Sequence, residues 1–454
     1  MKVDTIVKNC KVVSPEGISV AGIGIKGEKV VAIASDDQLP QADKVIDAKG
    51  NYVLPGLVDP HCHLEYPYDV PVKDNIQTET QSYAFGGVTT ISHMMTVPPN
   101  NLVEKFKWLK PVYEENAYVD LSISPELTMK EHIKQIPQLM ELGMPSFKMQ
   151  PPYKGPAARP NIPGIDDGHI LFVFEAIGKF AKEGYNTFCR IHCENIEPFP
   201  YLLERAKAQG VEIRNWDQIR PRYLEIETEH RYIYYANLFS CPLYIVHNSI
   251  KEGVDIVARA KAEGIKVMLE TCPHYLVLNN DNTDKVIGKV NPPLREKEDN
   301  EALWKGIRDG VIDTVGTDHC QIRKQDKPDL LTAWMGFAGA ETWLPTMLDG
   351  VNKGEISLEK LVEVCCYNPA KLFGLSPRKG SISVGSDADL VIVDLNKEAT
   401  VGQPVYSAAD ITPFFGFKLK GWPVLTMLRG TVIMEGGKVV GEKGYGRFIP
   451  GKAK

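Results

Sequence analysis

The chain has 454 residues, of which 43% are hydrophobic and 24% charged, with a formal net charge of −6. That is enough for one large and one smaller core, and the mild acidity argues against a nucleic-acid or acidic-membrane partner. No apolar run approaches the roughly 18 residues of a spanning helix, so no membrane partner is expected.

The start, "MKVDTIVKNCKVV", alternates apolar and polar residues and lacks the apolar centre of a signal peptide, so a cytoplasmic location is expected. The nine cysteines form no CxxC pair and are odd in number, the pattern of reduced thiols. Cys62, Cys193 and Cys320 neighbour candidate site residues and are expected to be small buried residues facing away from the site.

Residues 1–54 predict short strands with a period of two and Gly or Asp/Asn punctuation, as in "SVAGIGIKGEKVVAIA". Residues 380–397 ("GSISVGSDADLVIVDL") and 425–441 ("TMLRGTVIMEGGKVVG") have the same texture. A small β-sandwich domain built from 1–54 and 375–454 is the economical reading.

The middle, 55–374, alternates. Apolar bursts such as "TTISHMM", "SFKMQ", "TFCRIHC", "LYIVHNS", "KVMLETC" and "DTVGTDH" alternate with helical stretches such as "GHILFVFEAIGKFAKEG" and "KEGVDIVARAKAEG". Repeated β–α alternation means a parallel sheet, and this length suits a (β/α)8 TIM barrel. A doubly wound open sheet is the alternative. It usually carries a GxGxxG after a strand, and none stands here.

Active groups of such a barrel sit at the C-terminal strand ends. There stand His61 and His63 in "VDPHCHL", Lys148 in "SFKMQ", His192 in "CRIHCEN", His247 in "YIVHNS" and Asp318 in "TVGTDHC". His61 and His63, two apart on a strand, point to one face and suit two imidazoles on one ion. Many HxH pairs are incidental, but the other strand-end residues make a metal site the better reading. Zinc, manganese, iron and cobalt all accept such ligands. Lys148 is either a partly buried lysine that pairs with a carboxylate or snorkels out or, carbamylated by CO₂, an anionic ligand that bridges two metals.

In order and spacing, His61-x-His63, Lys148, His192, His247 and Asp318 resemble the amidohydrolase superfamily, most of all its hydantoinase/dihydropyrimidinase branch. "PGLVDPHCHLEYP", "AFGGVTTI", "SFKMQPPYK", "IHCEN", "YIVHNS", "ETCPHYL", "NPPLRE", "TVGTDHC" and "NPAKLFGL" match family segments in order over nearly the whole chain. The resemblance implies a cyclic amidohydrolase with two divalent ions, zinc first among them, bridged by N6-carboxylysine at Lys148. His61, His63 and Asp318 would hold the more buried ion, and His192 and His247 the more exposed one. The ions would turn a bridging water into hydroxide, which attacks a ring carbonyl. Tyr153 would donate to the developing oxyanion, and Asp318 would carry the proton to the leaving nitrogen. The family also implies a homo-oligomer, tetramer or dimer.

Three segments depart from the pattern. Asn291 stands for serine in "NPPLRE", and Met335 for asparagine in "AWMGFAGAE", both in the segments that would hold the substrate ring by backbone groups. The loop "QPPYKGPAARPNIPGIDDG" is long, and its Arg159 would either meet an anionic substituent or lie solvated. Dihydroorotases carry an arginine soon after HxH. "LEYP" replaces it, with Glu65 and Tyr66, which argues against dihydroorotate. The expected substrate is a hydantoin- or dihydropyrimidine-like ring, with a cyclic imide, allantoin or another amide heterocycle as alternatives. A non-catalytic dihydropyrimidinase-related protein is disfavoured by the full ligand set. A deaminase of the superfamily is disfavoured by Lys148.

Overall fold

The computed structural model describes residues 2–96, 101–154 and 163–454. Its centre is a ring of parallel strands: β1 (Leu57–His63), β2 (Val88–Met95), β3 (Asp120–Pro125), β4 (Ser146–Met149), β5 (Phe188–Ile191), β6 (Leu243–Ile245), β7 (Val267–Thr271) and β8 (Thr314–Val315). Strands β1 to β3 pair in sequence, as do β4 to β8. A parallel bridge between Glu126 and Lys148 joins β3 to β4. The short strand His319–Cys320, just after β8, pairs with Cys62 and His63 of β1 and closes the ring. Every residue of β1, β2 and β3 is buried, as expected of strands covered by helices outside and side chains inside.

Strand β3, "DLSISP", shows what its sequence hides. Ser122 and Ser124 share one face of it. The Ser124 hydroxyl lies 3.3 Å from that of Ser92 on β2 and 2.5 Å from that of Ser146 on β4, and it accepts from Arg190 at 3.0 Å. Small hydroxyls inside the barrel make room for the guanidinium of β5, and a face of serines does not read as a core strand.

Outside, helices turn apolar faces to the ring. Val254, Ile256, Val257 and Ala260 are buried on Lys251–Ala262, and Leu303, Trp304 and Ile307 on Lys297–Arg308. Helix Asp167–Lys182 starts where Asp166 accepts from the His169 amide at 2.8 Å, a cap of about 1 kcal/mol.

The two chain ends meet in two further sheets. A seven-stranded sheet places Tyr52–Pro55 between Leu390–Thr400 and Lys11–Ser14, and a four-stranded sheet combines Val3–Lys8, Gly22–Lys26, Lys29–Ala34 and Ala42–Asp47. Val7, Ile23, Ile25, Val53, Leu390 and Met427 form their shared core. The stretch 380–389, expected as strand, is a turn. Gly380 and Gly385 have positive φ, and Ser386 Oγ donates to the Ser383 carbonyl at 2.8 Å. Its carboxylates serve the barrel instead: Lys379 Nζ donates to Asp389 at 2.7 Å and to Asp120, the first residue of β3, at 2.6 Å. This ion cluster sits at the end of the barrel opposite the strand C-termini.

Candidate functional site

His61 and His63 end β1, Lys148 lies in β4, His192 directly follows β5, His247 follows β6 by two residues, and Asp318 follows β8 by three. All six open on the C-terminal mouth. His247 and Asp318 are both held at positive φ, +44° and +48°. Non-glycine residues in that region sit at a local energetic cost that the surrounding structure must offset. Here it turns the two side chains inward at the point where the chain leaves the strand.

His61 Nε2 and His63 Nε2 each lie 3.2 Å from Asp318 Oδ1. One ligand atom from each of these residues falls within 4.8 Å of the others. The ring centroid of His247 lies 5.3 Å from that of His61 and 4.4 Å from that of His192. Lys148 is buried beside them: burial lowers the pKa values of all four imidazoles, and the Lys148 charge lowers them further. Burial, and next the Arg190 guanidinium, brings its own ammonium down to about 7. Burial also brings His192 down to about 4.

Carboxylates behind the imidazoles fix their orientation, and these partners were not singled out in the sequence. Glu270 Oε1 lies 2.7 Å from His61 Nδ1 and accepts the His247 amide at 3.1 Å. Its Oε2 accepts from the Tyr244 hydroxyl at 2.7 Å. Burial raises the Glu270 carboxyl to about 7, against the pull of Arg190. Glu194 Oε2 lies 3.1 Å from His192 Nε2, and Arg220 clamps Glu194 through two bonds of 2.6 Å. Burial would raise Glu194, but Arg220 and His192 carry it down to about 2. With Nδ1 of His61 and Nε2 of His192 turned to carboxylates, the opposite nitrogen of each ring is left as the lone-pair donor. Only Glu194, two residues after His192, had a local cue.

The group therefore fits metal ions. Burial lowers the pKa of each imidazole, His61 Nε2 and His247 Nδ1 are buried without a hydrogen-bond partner among the described residues, and the Asp318 carboxylate converges on His61 and His63. A second acidic group, Asp120, Asp387 and Asp389, is already filled by the cations of Lys379 and Arg429.

Beside these residues opens a cavity of about 550 Å³, lined by His63 and Asp318 at its floor. Tyr153, Asn291 and Met335 all line it. The Tyr153 ring centroid is 6.0 Å from that of His192, edge to face. Asn291 Oδ1 accepts from Trp216 Nε1 at 2.8 Å. Tyr66, Tyr68, Phe199, Trp216 and Trp334 make the wall aromatic. Cys320 also lines the cavity, so the expectation that it faces away is corrected; Cys62 and Cys193 are buried and are not among the cavity residues. All nine cysteines are unpaired. Glu65 does not line the cavity: it is buried against Lys105, 2.9 Å away. Arg159 lies outside the described residues. No described helix is long and apolar enough to cross a membrane.

A profile of the amidohydrolase family matches residues 243–433. The chain is 36% identical to an L-hydantoinase of Paenarthrobacter aurescens, across 98% of each chain. It is 34% identical to a D-hydantoinase of Ralstonia pickettii, again across 98% of each. The solved L-hydantoinase (dihydropyrimidinase) from Arthrobacter aurescens superposes with a TM-score of 0.91 at 36% identity, covering 99% of this chain and 100% of that one. The chain belongs to the amidohydrolase family, and within it to the hydantoinase-like proteins.

Proposed function

We propose that this protein hydrolyses the C–N amide bond of a cyclic amide or ureide, using two divalent ions at the barrel mouth. The observation that carries the reading is the convergence of His61 Nε2 and His63 Nε2 on Asp318 Oδ1, at 3.2 Å each, on the floor of the cavity. His61, His63 and Asp318 would hold one ion, His192 and His247 the other, and carboxylated Lys148 would bridge them. Lys148, brought to about 7, has an appreciable fraction of neutral amine near physiological pH, the form that adds CO₂. Zinc suits these nitrogen and oxygen donors. When bound, the ions supply an acidified water and an electrophile for the ring carbonyl.

The chain's own groups do the rest. The Tyr153 hydroxyl donates to the carbonyl oxygen as negative charge builds there. The Asp318 carboxylate takes a proton from the attacking water and returns it to the ring nitrogen as the C–N bond breaks, leaving a carboxylic acid and a freed amide nitrogen. Backbone groups at Asn291 and Met335 hold the far edge of the ring. The aromatic wall favours a ring with an apolar or aromatic substituent over a small polar ring such as allantoin.

The protein is further proposed to form a homo-oligomer. Phe172 on helix Asp167–Lys182, and Tyr234 and Leu238 on helix Tyr223–Phe239, are 58%, 63% and 54% exposed on helices that pack together.

The test is bound metal measured on purified protein, with a panel of 5-substituted hydantoins, dihydrouracil, allantoin and cyclic imides. Two ions per chain and turnover of a substituted ring are expected, and Lys148→Ala should lose both together. Folded wild-type protein that binds no metal and opens none of these rings would overturn the proposal.

A further inference from the structure

The two segments proposed to hold the ring are far apart in sequence. One runs through Lys289, Val290 and Asn291; the other is the 331–336 wall that carries Leu331, Trp334 and Met335. One buried side chain of the first reaches into the second. Lys289 Nζ donates to the carbonyls of Leu331 at 3.0 Å and Ala333 at 2.7 Å, and sits 3.9 Å above the face of Trp216. That is three directions for three N–H bonds. Around it the seam is closed at the Lys289 carbonyl, which accepts from the Gly336 amide and from the Lys327 ammonium at 3.0 Å each. Trp216, under the ammonium, donates through Nε1 to Asn291 Oδ1. The Lys289 ammonium, together with these bonds to its carbonyl, therefore ties the Asn291 edge of the cavity to the Met335 edge, and it also seats the indole that orients Asn291.

We infer that Lys289 is a positioning residue for ring binding: it acts through the 331–336 backbone and through Trp216, and sets the spacing of the two segments that grip the substrate. The inference rests on the proposed ring hydrolysis. A lysine does this where a carboxylate–arginine pair would not, because both partners are carbonyl oxygens and the third is a π face. Among the described residues Lys289 has no salt-bridge partner, and Asp329, whose charge acts on it, spends its carboxylate on the Leu331 and Thr332 amides and the Thr332 hydroxyl.

The test uses Lys289→Met in the metal-loaded full chain, with two readouts. Hydrogen exchange by mass spectrometry needs no substrate. Amides of 331–337 and of 289–291 should exchange at least about tenfold faster, with the barrel strands unchanged. On the ring that wild-type protein turns over best, KM should rise about tenfold or more with kcat within about threefold, the signature of lost ground-state and transition-state binding alike. Lys327→Met loosens the same seam from the other side and should move both readouts in the same direction; it serves if Lys289→Met does not fold. Unchanged exchange in the wall would overturn the inference, and so would a fall in kcat at constant KM. If the wild type opens no ring, the ring-hydrolysis reading fails by itself, and the exchange result still decides whether Lys289 holds the wall.

Discussion

Glu270→Gln separates a residue that shapes metal binding from one that only holds the barrel together. The carboxylate takes two bonds on Oε1, from His61 Nδ1 at 2.7 Å and the His247 amide at 3.1 Å. It takes one on Oε2 from the Tyr244 hydroxyl at 2.7 Å, and Arg190 stands 3.5 Å from that same oxygen. An amide keeps only one acceptor. If its oxygen stays on the His61 side, its NH₂ meets the Tyr244 hydroxyl and the Arg190 cation; if it turns, His61 loses the acceptor that holds its Nδ1 proton. Outer carboxylates of this kind are worth 10–100-fold in metal affinity, about 1.4–2.7 kcal/mol. Leaving Arg190 buried without its counter-charge costs about 3 kcal/mol more, with or without metal. Two assays divide these costs. Competition with a chelator of known affinity reads the loss in metal binding directly. Thermal melts with and without saturating metal read the second: metal raises stability by RT ln(1 + [L]/Kd), so the metal-dependent increment should shrink by the 1.4–2.7 kcal/mol while the metal-free midpoint also falls. A variant that melts lower but gains the same increment from metal as the wild type would refute the reasoning, because Glu270 would then support the fold and not the histidines.

Tyr153→Phe should lower kcat by about 10²–10³ and leave KM nearly unchanged, checked by steady-state kinetics on the best ring substrate. Trp334→Ala, which opens the wall beside Tyr66 and Tyr68, should cut kcat/KM about tenfold for a benzyl-substituted ring and less than about twofold for the unsubstituted one. Asp387 is paired with Lys379, Lys29 and Arg378; burial would raise its pKa, but Lys379 and these bonds carry it from 3.8 to about 2. A lowered carboxyl pKa stabilises the fold fully above the unfolded value and ceases to do so as pH falls through the folded one. The advantage of wild type over Asp387→Asn in thermal melts should therefore hold above pH 4 and fade between about pH 4 and pH 2.

What the sequence made legible depended on whether the cause was local. The β–α alternation is a local pattern, and the histidines at strand ends stand in short runs, "HCH", "RIH" and "IVHN", where an apolar burst stops. Strand β3 is not among the apolar bursts named from the sequence, because its inward face is serine, a choice that makes sense only against Arg190, 66 residues away from Ser124. The turn at 380–389 failed for a related reason. Its apolar–polar alternation mimics a strand, but the polar positions Asp387 and Asp389 serve an ion cluster centred on Lys379 and reaching Asp120. Glu270, Arg220 and Lys289 are ordinary charged residues in the sequence, and their roles come from partners 209, 26 and 42 positions away.

This division follows the architecture. The candidate metal residues sit on or just beyond strands whose register is fixed by the barrel, so spacing along the chain already encodes their geometry. The cavity wall is made largely of the segments between the strands, and a few long-range bonds tie them together: Trp216 to Asn291, Lys289 to Leu331 and Ala333, Lys327 to Lys289. On the proposed function, chemistry and selectivity would thus be carried by different kinds of contact. On the proposed function, a change at Asn291 or Met335 should alter which ring fits while β1 and β4–β8 keep their pairing, and a change at His61 or Asp318 should remove the reaction from every ring alike. It follows that substrate range should shift through loop substitutions such as Trp334→Ala or Lys289→Met with metal content intact, whereas Lys148→Ala should leave the wall in place around an inert floor.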